Sequence, residues 1–136
     1  MNMFPDDTLI LVVDDTTTMR RIVKNHVKTI GFKNVLEAPN GQVAYETVSK
    51  QHAMNQPVGL VLSDWNMPEM KGIALLRQLR ADPRFKSLPF IMITAEIKQA
   101  QIEEAKDADV SEYLLKPFSV ENLREKIQLV WKRHST

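Results

Sequence analysis

Short apolar segments alternate with helical patterns five times along this 136-residue chain. Three of the segments are almost entirely apolar and rich in Val, Ile and Leu, which is typical of parallel strands covered on both faces. The other two are shorter or mixed in character, and we expect them at the edges of a sheet. The predicted strands are Leu9–Val13, Asn34–Ala38, Val58–Ser63, Phe90–Thr94 and Glu112–Leu115.

The segments that follow these strands show the spacing of amphipathic helices. In the first, apolar residues and His26 recur at helical intervals between a threonine at 16–18 and Gly31, which predicts a helix with both ends capped. The last predicted helix has Ser119 as its N-cap. Residues 51–57 are expected to form a surface loop. The remaining helices are predicted over about residues 41–51, 73–82, 97–106 and 120–131.

Five strand–helix units predict an α/β fold, namely a (βα)5 doubly wound five-stranded parallel sheet with helices on both faces. The length is that of one domain, which we expect over residues 8–133, between tails at 1–7 and 134–136. No segment has 18 consecutive apolar residues, and the N-terminus lacks the pattern of a secretory signal. We therefore expect a cytoplasmic protein.

Composition excludes several classes of function. Eighteen Lys and Arg against 17 Asp and Glu give a net charge of +1, which argues against a nucleic-acid binder, and no membrane partner is expected. The absence of cysteine excludes disulfides, iron–sulfur clusters and thiol nucleophiles. The four glycines, at positions 31, 41, 59 and 72, form no phosphate-cradling loop, which disfavours a flavodoxin-like cofactor binder.

Polar residues follow the strands at the sheet edge where sites form in open parallel folds. Asp14 and Asp15 follow the first strand, Asp64 follows the third, Thr94 ends the fourth and Lys116 follows the fifth. Two carboxylates about 4 Å apart repel by about 4 kcal/mol at an effective dielectric of about 20. Three crowded acids must therefore hold protons, recruit Lys116 or bind a cation. Oxygen ligands favour Mg²⁺, with Mn²⁺ as the other candidate ion.

Acid, cation, hydroxyl and metal together suit the transfer of a phosphoryl group, which depends on positioning and charge stabilisation. A carboxylate can act as the nucleophile and form an aspartyl phosphate. Asp64 stands alone in the middle of the sheet, whereas Asp14 and Asp15 are adjacent and better placed as a metal pair. Any one of these aspartates could instead be a simple helix cap or turn residue, but that interpretation fits the whole set poorly.

Several segments resemble the receiver domain of bacterial response regulators. They match in order, spacing and strand context over about residues 8–131, and they are most similar to single-domain chemotaxis regulators of the CheY type. The resemblance implies the flavodoxin-like strand order 2-1-3-4-5. The matching segments are Val12–Asp15 (VVDD), Ser63–Pro68 (SDWNMP), Ile93–Glu96 (ITAE) and Tyr113–Phe118 (YLLKPF), with support from Thr17–Asn25 and Leu79–Asp82.

The resemblance also implies roles for the residues at the sheet edge. Asp64 would be the phosphoacceptor, and Lys116 would pair with a phosphoryl oxygen. Mg²⁺ would be bound by Asp15, by Asp64 and by the backbone carbonyl of Asn66, while Asp14 would act through water.

A second set of implied roles concerns switching. Thr94 would move toward the phosphoryl group and hydrogen-bond to it, and Tyr113 would then turn inward and change the surface of the last two helices and the fifth strand. Asn66 and Glu96 would tune hydrolysis of the phosphoryl group. Trp65, next to Asp64, is expected to be partly exposed and to change its fluorescence when Mg²⁺ binds.

Other positions carry smaller expectations. Asp109–Val110 replaces the Gly and Ala usual before the fifth strand, and an aspartate tolerates the left-handed backbone conformation that this turn needs. The Lys116–Pro117 bond is cis in the family. His26 is interpreted as structural, and His52 and His134 are expected in a loop and a tail, so the chain is not itself a histidine phosphodonor.

The implied function is a stand-alone response regulator of two-component signalling, not an enzyme, because it catalyses only its own phosphorylation and dephosphorylation. A CheA-like histidine kinase would be the phosphodonor, a FliM-like flagellar motor switch protein the target and a phosphatase a further partner of this monomer. One alternative is a receiver that acts as a phosphate sink or in a non-motility pathway. A more distant one is a Mg²⁺-dependent phosphatase with an aspartyl nucleophile. Those enzymes separate the two acids after the first strand by one residue, whereas Asp14 and Asp15 are adjacent.

Overall fold

The computed structural model describes residues 3–67, 70–95 and 98–134. Within them, five parallel strands form one sheet in the order β2-β1-β3-β4-β5, and a helix follows each strand. The predicted α/β class, (βα)5 architecture and strand order are confirmed. The elements are β1 (Leu9–Val13), α1 (Thr17–Ile30), β2 (Asn34–Ala38), α2 (Gly41–Ala53), β3 (Leu60–Asp64), α3 (Gly72–Ala81), β4 (Phe90–Thr94), α4 (Gln99–Asp107), β5 (Glu112–Leu115) and α5 (Val120–His134).

The sheet has a hydrophobic layer on each face, as the apolar central strands predict. Successive residues of β1 alternate between the layers: Ile10 and Val12 contribute to the layer beneath α1 and α5, and Leu11 and Val13 to the one beneath α2 and α3. Both β3 and β4 are buried along their whole length. The core therefore fixes β1, β3 and β4 side by side, with their carboxyl ends at one edge.

Several predicted helix features are confirmed. Gly31 ends α1 with φ of +128°, and Asp109 has φ of +61° in the turn before β5. At the start of α5, the backbone N–H of Asn122 donates to Ser119 Oγ at 3.1 Å, and the Asn122 side chain accepts from the Ser119 N–H. In contrast, Ile22, one of the apolar residues that recur at helical intervals in α1, is 40% exposed.

Both ends of β3 differ from the prediction. β3 begins at Leu60 instead of Val58, because regular pairing with β1 starts only where Leu60 lies opposite Ile10. It extends through Asp64, which pairs with Ile93 of β4.

The helix α2 continues through the start of the predicted loop at 51–57 and ends at Ala53. His52 therefore lies in a helix and not in a loop, and its ring packs edge-on against Phe85 with centroids 5.4 Å apart. The fourth helix begins at Gln99, after Lys98 as its N-cap residue; Ile97 lies outside the described residues.

Residues near both ends of the described chain make specific contacts. Phe4 is buried, and its ring lies 5.0 Å from that of Trp131. His134, expected in a tail, ends α5 and places Nε2 at 2.9 Å from Ser111 Oγ. The predicted domain limits, 8–133, stay a prediction. No helix in residues 3–67, 70–95 and 98–134 is both long and apolar enough to cross a bilayer.

Candidate functional site

Three carboxylates meet at the carboxyl edge of the sheet. Because β1 and β3 are neighbours, with Val13 opposite Ser63, the residues that end or follow them lie together. One carboxylate oxygen each from Asp14, Asp15 and Asp64 lies within 4.8 Å of the others. Asp14 and Asp64 are buried, whereas Asp15 is exposed. The structure thus brings together the acids that the sequence placed at one edge.

The ammonium group of Lys116 lies between two of these acids. Its Nζ is 3.2 Å from Asp64 Oδ1 and 3.4 Å from Asp14 Oδ2. The backbone N–H of Lys116 donates to the Thr94 carbonyl at 2.7 Å, and the following Lys116–Pro117 bond is cis. The pairing of β4 with β5 therefore positions the Lys116 ammonium group beside the acid cluster.

The electrostatic balance at Asp64 remains unfavourable for a charged carboxylate. Burial raises the pKa of Asp64 above its ordinary value of 3.8, and the Asp14 charge raises this pKa further, while Lys116 lowers it in part. One ammonium against three acids leaves excess negative charge at the sheet edge. A set of carboxylate oxygens with excess negative charge fits a hard divalent cation such as Mg²⁺.

Sequence reasoning missed the residues that hold Asp14. The backbone N–H and hydroxyl of Thr16 donate to Asp14 Oδ1 at 2.9 and 3.0 Å. Arg20 donates to the Asp14 carbonyl at 2.7 Å and pairs with Glu37 Oε1 of β2 at 3.3 Å. Lys24 pairs with the second oxygen of Glu37 at 3.4 Å. The sequence signals this contact only through the position of Arg20, a cation about one turn into the helix that follows Asp14 and Asp15.

Gly72 is a further residue whose role at the site sequence reasoning missed. Its N–H donates to the Trp65 carbonyl at 2.9 Å. A Cβ at this position would lie 2.3 Å from the Asp64 carbonyl oxygen. Only a residue without a side chain allows α3 to begin this close to the end of β3.

The structure corrects the prediction for Trp65, which follows Asp64 where α3 approaches the end of β3. Trp65 was expected to be partly exposed, but it is 5% exposed. Its N–H donates to the Ile93 carbonyl at 2.9 Å, which holds the chain against β4 just after Asp64. The indole then packs into the core and lines a small cavity beside α4. Its position next to Asp64 still makes it a suitable reporter.

The remaining predicted site residues lie at different depths. Thr94 is buried at the end of β4, and Tyr113 of β5 is half-buried. Asn66 is exposed. Glu96, as well as Pro68 of the SDWNMP motif, lies outside the described residues.

Comparison with known proteins identifies the family. The sequence model of the response regulator receiver domain matches residues 10–128. The chain belongs to this family. It is 48% identical over 124 residues to the chemotaxis protein CheY of Pseudomonas aeruginosa, covering 91% of this chain and 96% of that protein. It is 47% identical to CheY-3 of Vibrio cholerae serotype O1, covering 91% and 92% respectively.

A structural comparison agrees with the sequence matches. The solved structure of the chemotaxis response regulator CheY4 of Vibrio cholerae aligns with a TM-score of 0.79 and 28% identity, covering 91% of this chain and 98% of that chain. The predicted identity, a CheY-like response regulator of two-component signalling, is thus confirmed. Proteins of this family act as regulators and not as conventional enzymes.

Proposed function

We propose that this chain receives a phosphoryl group on Asp64 from a histidine kinase and then binds a target protein through the surface of α4, β5 and α5. The observation that carries the proposal is the Lys116 ammonium held between Asp14 and Asp64. It places a positive charge beside a nucleophilic oxygen, where a phosphoryl group would carry negative charge. We also propose a cytoplasmic monomer with its receiver domain over residues 8–133.

Mg²⁺ is the proposed cofactor, with Mn²⁺ as the second candidate. Asp15, Asp64 and the Asn66 carbonyl would hold it directly, and Asp14 would act through water. The clustered carboxylates and their excess charge support this assignment. When bound, the ion supplies positive charge that offsets the negative charge of the carboxylates and of the phosphoryl group.

The protein's own groups act on the transfer as follows. An Asp64 carboxylate oxygen attacks the phosphorus of the phosphohistidine donor, and an O–P bond forms while the P–N bond breaks. The nitrogen leaves with the electron pair of that bond, as neutral imidazole when the other ring nitrogen carries a proton. Lys116 Nζ and the Thr94 hydroxyl each donate to a phosphoryl oxygen. Asn66 and Glu96 tune the later hydrolysis by water.

The proposed partners follow from the relatives. Because the matched proteins are named as chemotaxis proteins, we propose a CheA-like kinase as donor, a FliM-like motor switch protein as target and a phosphatase as a third partner. Movement of Thr94 toward the phosphoryl group and inward rotation of Tyr113 would connect Asp64 to the target surface.

Acetyl phosphate and intact-mass measurement test the phosphoacceptor. With Mg²⁺ we expect one adduct that is stable in acid and labile in base, and that is absent from Asp64→Asn. Asp82→Asn, a change at a carboxylate paired with Arg84, is the control and should be labelled normally. An undiminished adduct in Asp64→Asn would refute the proposal, and repeated turnover on varied phosphoesters would favour the phosphatase.

A binding assay tests the target separately. The beryllofluoride-loaded protein, which mimics the phosphorylated state, should bind a flagellar motor switch protein more tightly than the unloaded protein. Equal or absent binding together with a normal Asp64 adduct would instead favour a phosphate sink or a non-motility regulator.

A further inference from the structure

An unpaired acceptor lies beside the proposed switch. The side-chain carbonyl oxygen of Gln101, on α4, is shielded from solvent and has no hydrogen-bond partner among the residues that the structure describes. Buried acceptors are nearly always paired, because an unpaired one loses its hydrogen bonds to water without replacement. This oxygen is therefore able to accept a hydrogen bond from a donor that enters the cavity beside it.

The surroundings of Gln101 indicate which donor that is. Gln101 lines a cavity of about 20 Å³, enough for a single water, where α4 packs against β4 and β5. Two hydroxyl-bearing side chains, Thr94 and Tyr113, share this lining, and both belong to the proposed switch. The other lining residues are Trp65, Met92, Ile102 and Ala105.

The ring of Tyr113 occupies the boundary between this cavity and the surface. It lines the cavity and also a groove of about 320 Å³ that includes Leu115 and Lys126. Lys126 Nζ lies 5.8 Å from the ring centroid. The Tyr113 ring therefore borders the same cavity that Gln101 lines.

We propose that the Tyr113 hydroxyl donates a hydrogen bond to Gln101 Oε1 when the ring turns inward. This inference rests on the proposed function, because a 20 Å³ cavity admits the phenol only after Thr94 moves toward a phosphorylated Asp64. Gln101 is then a positioning residue of the switch. It stabilises the inward ring through a hydrogen bond that the outward state leaves unmade, and so it sets how completely phosphorylation changes the α4–β5–α5 surface.

Fluorine NMR of protein labelled with 3-fluorotyrosine tests the proposal. The chain has two tyrosines, and Tyr45, whose hydroxyl donates to Asp82 at 2.8 Å, provides an internal reference. In beryllofluoride-loaded protein, Gln101→Met should lower the ratio of inward to outward Tyr113 by about fivefold, the usual net effect of one hydrogen bond. Gln99→Met, an exposed position on the same helix, is the matched control and should leave the ratio unchanged.

A second measurement separates hydrogen bonding from packing. Because the inward ring and beryllofluoride binding are linked, Gln101→Met and Tyr113→Phe should each weaken the apparent affinity for beryllofluoride by about fivefold. Tryptophan fluorescence measures this affinity. The double variant should lose no more affinity than either single variant, because both changes remove the same hydrogen bond. Losses that multiply to about 25-fold would overturn the proposal. So would an unchanged Tyr113 ratio in Gln101→Met.

The two proposals fail in different ways. Absence of any phosphoryl adduct on Asp64 would overturn the proposed function, and this inference with it. Normal labelling of Asp64 in Gln101→Met, combined with an unchanged Tyr113 ratio, would overturn only the role of Gln101. Unphosphorylated Gln101→Met should be no less stable than the wild type, because it removes an unpaired buried carbonyl oxygen.

Discussion

Replacement of Lys116 by methionine tests whether the lysine acts on the site through its charge. Its Nζ lies 3.2 Å from Asp64 Oδ1 and 3.4 Å from Asp14 Oδ2, so each attraction amounts to about 5 kcal/mol at an effective dielectric of about 20. Desolvation offsets part of this, and removal of one partner from a buried pair costs about 3–5 kcal/mol. Because the lysine side chain is 19% exposed, we expect a loss of about 3 kcal/mol in the free energy of unfolding at pH 7.

The loss in Lys116→Met should depend on pH in a defined direction. Without the ammonium, burial and the Asp14 charge still raise the pKa of Asp64, and nothing from Lys116 lowers it. A carboxyl group whose pKa is raised by folding destabilises the fold as pH rises through that pKa, and it has no such effect below its unfolded value of 3.8. The difference between wild type and variant should therefore be largest at pH 7 and shrink toward about pH 4. Millimolar Mg²⁺ at pH 7 should also reduce it, because the ion replaces the missing positive charge.

Urea unfolding followed by circular dichroism measures the difference at both pH values, with and without Mg²⁺. Lys33→Met is the matched control, because its Nζ is 3.9 Å from Asp6 and 70% exposed. An exposed pair of this kind should change stability by less than about 0.5 kcal/mol. A difference for Lys116→Met that stays constant with pH and with Mg²⁺ would refute the electrostatic reasoning and assign the effect to packing of the lysine stem.

Three further changes have defined outcomes. Asp64→Asn should raise the free energy of unfolding at pH 7 without divalent ions, because a neutral amide avoids the cost of burying a charge and the repulsion from Asp14 that raise the pKa of the carboxyl; a lower urea midpoint would contradict this. Gly72→Ala should lower stability by about 2 kcal/mol and slow labelling by acetyl phosphate, because its Cβ would collide with the Asp64 carbonyl; normal values for both would show that α3 can shift freely. Burial lowers the pKa of His134 below 6.5, so the wild type should lose stability as pH falls through 6.5, and thermal unfolding of His134→Gln should show a shallower pH dependence.

The sequence was sufficient for the fold because its periodicities predict the strands and helices, and its resemblance to the receiver family implies the order of the strands. The apolar segments at β1, β3 and β4 required burial on both faces, and the shorter β2 and β5 could then only lie at the edges. The acid cluster followed from the same topology. Once two strands are neighbours, the residues at their carboxyl ends must be close, whatever their side-chain rotamers.

Features that depend on a single close approach were not predictable in this way. Trp65 was expected to be partly exposed from its place next to Asp64, and its burial depends on how closely α3 approaches β3 at Gly72. The contact between Arg20 and Glu37 joins residues on α1 and β2 and requires one particular side-chain direction. Periodicity determines which face of an element is buried, but not which polar groups on two elements will meet.

The Glu37 carboxylate has a consequence for how relatives of this chain diverge. It balances two cations on α1, Arg20 and Lys24, while Arg20 also holds the Asp14 carbonyl. Loss of the acid would leave two like charges side by side and release the arginine from its orientation. Across an alignment of homologues, positions 20, 24 and 37 should therefore co-vary. Where position 37 is uncharged, we expect the lysine at position 24 to be lost before the arginine at position 20.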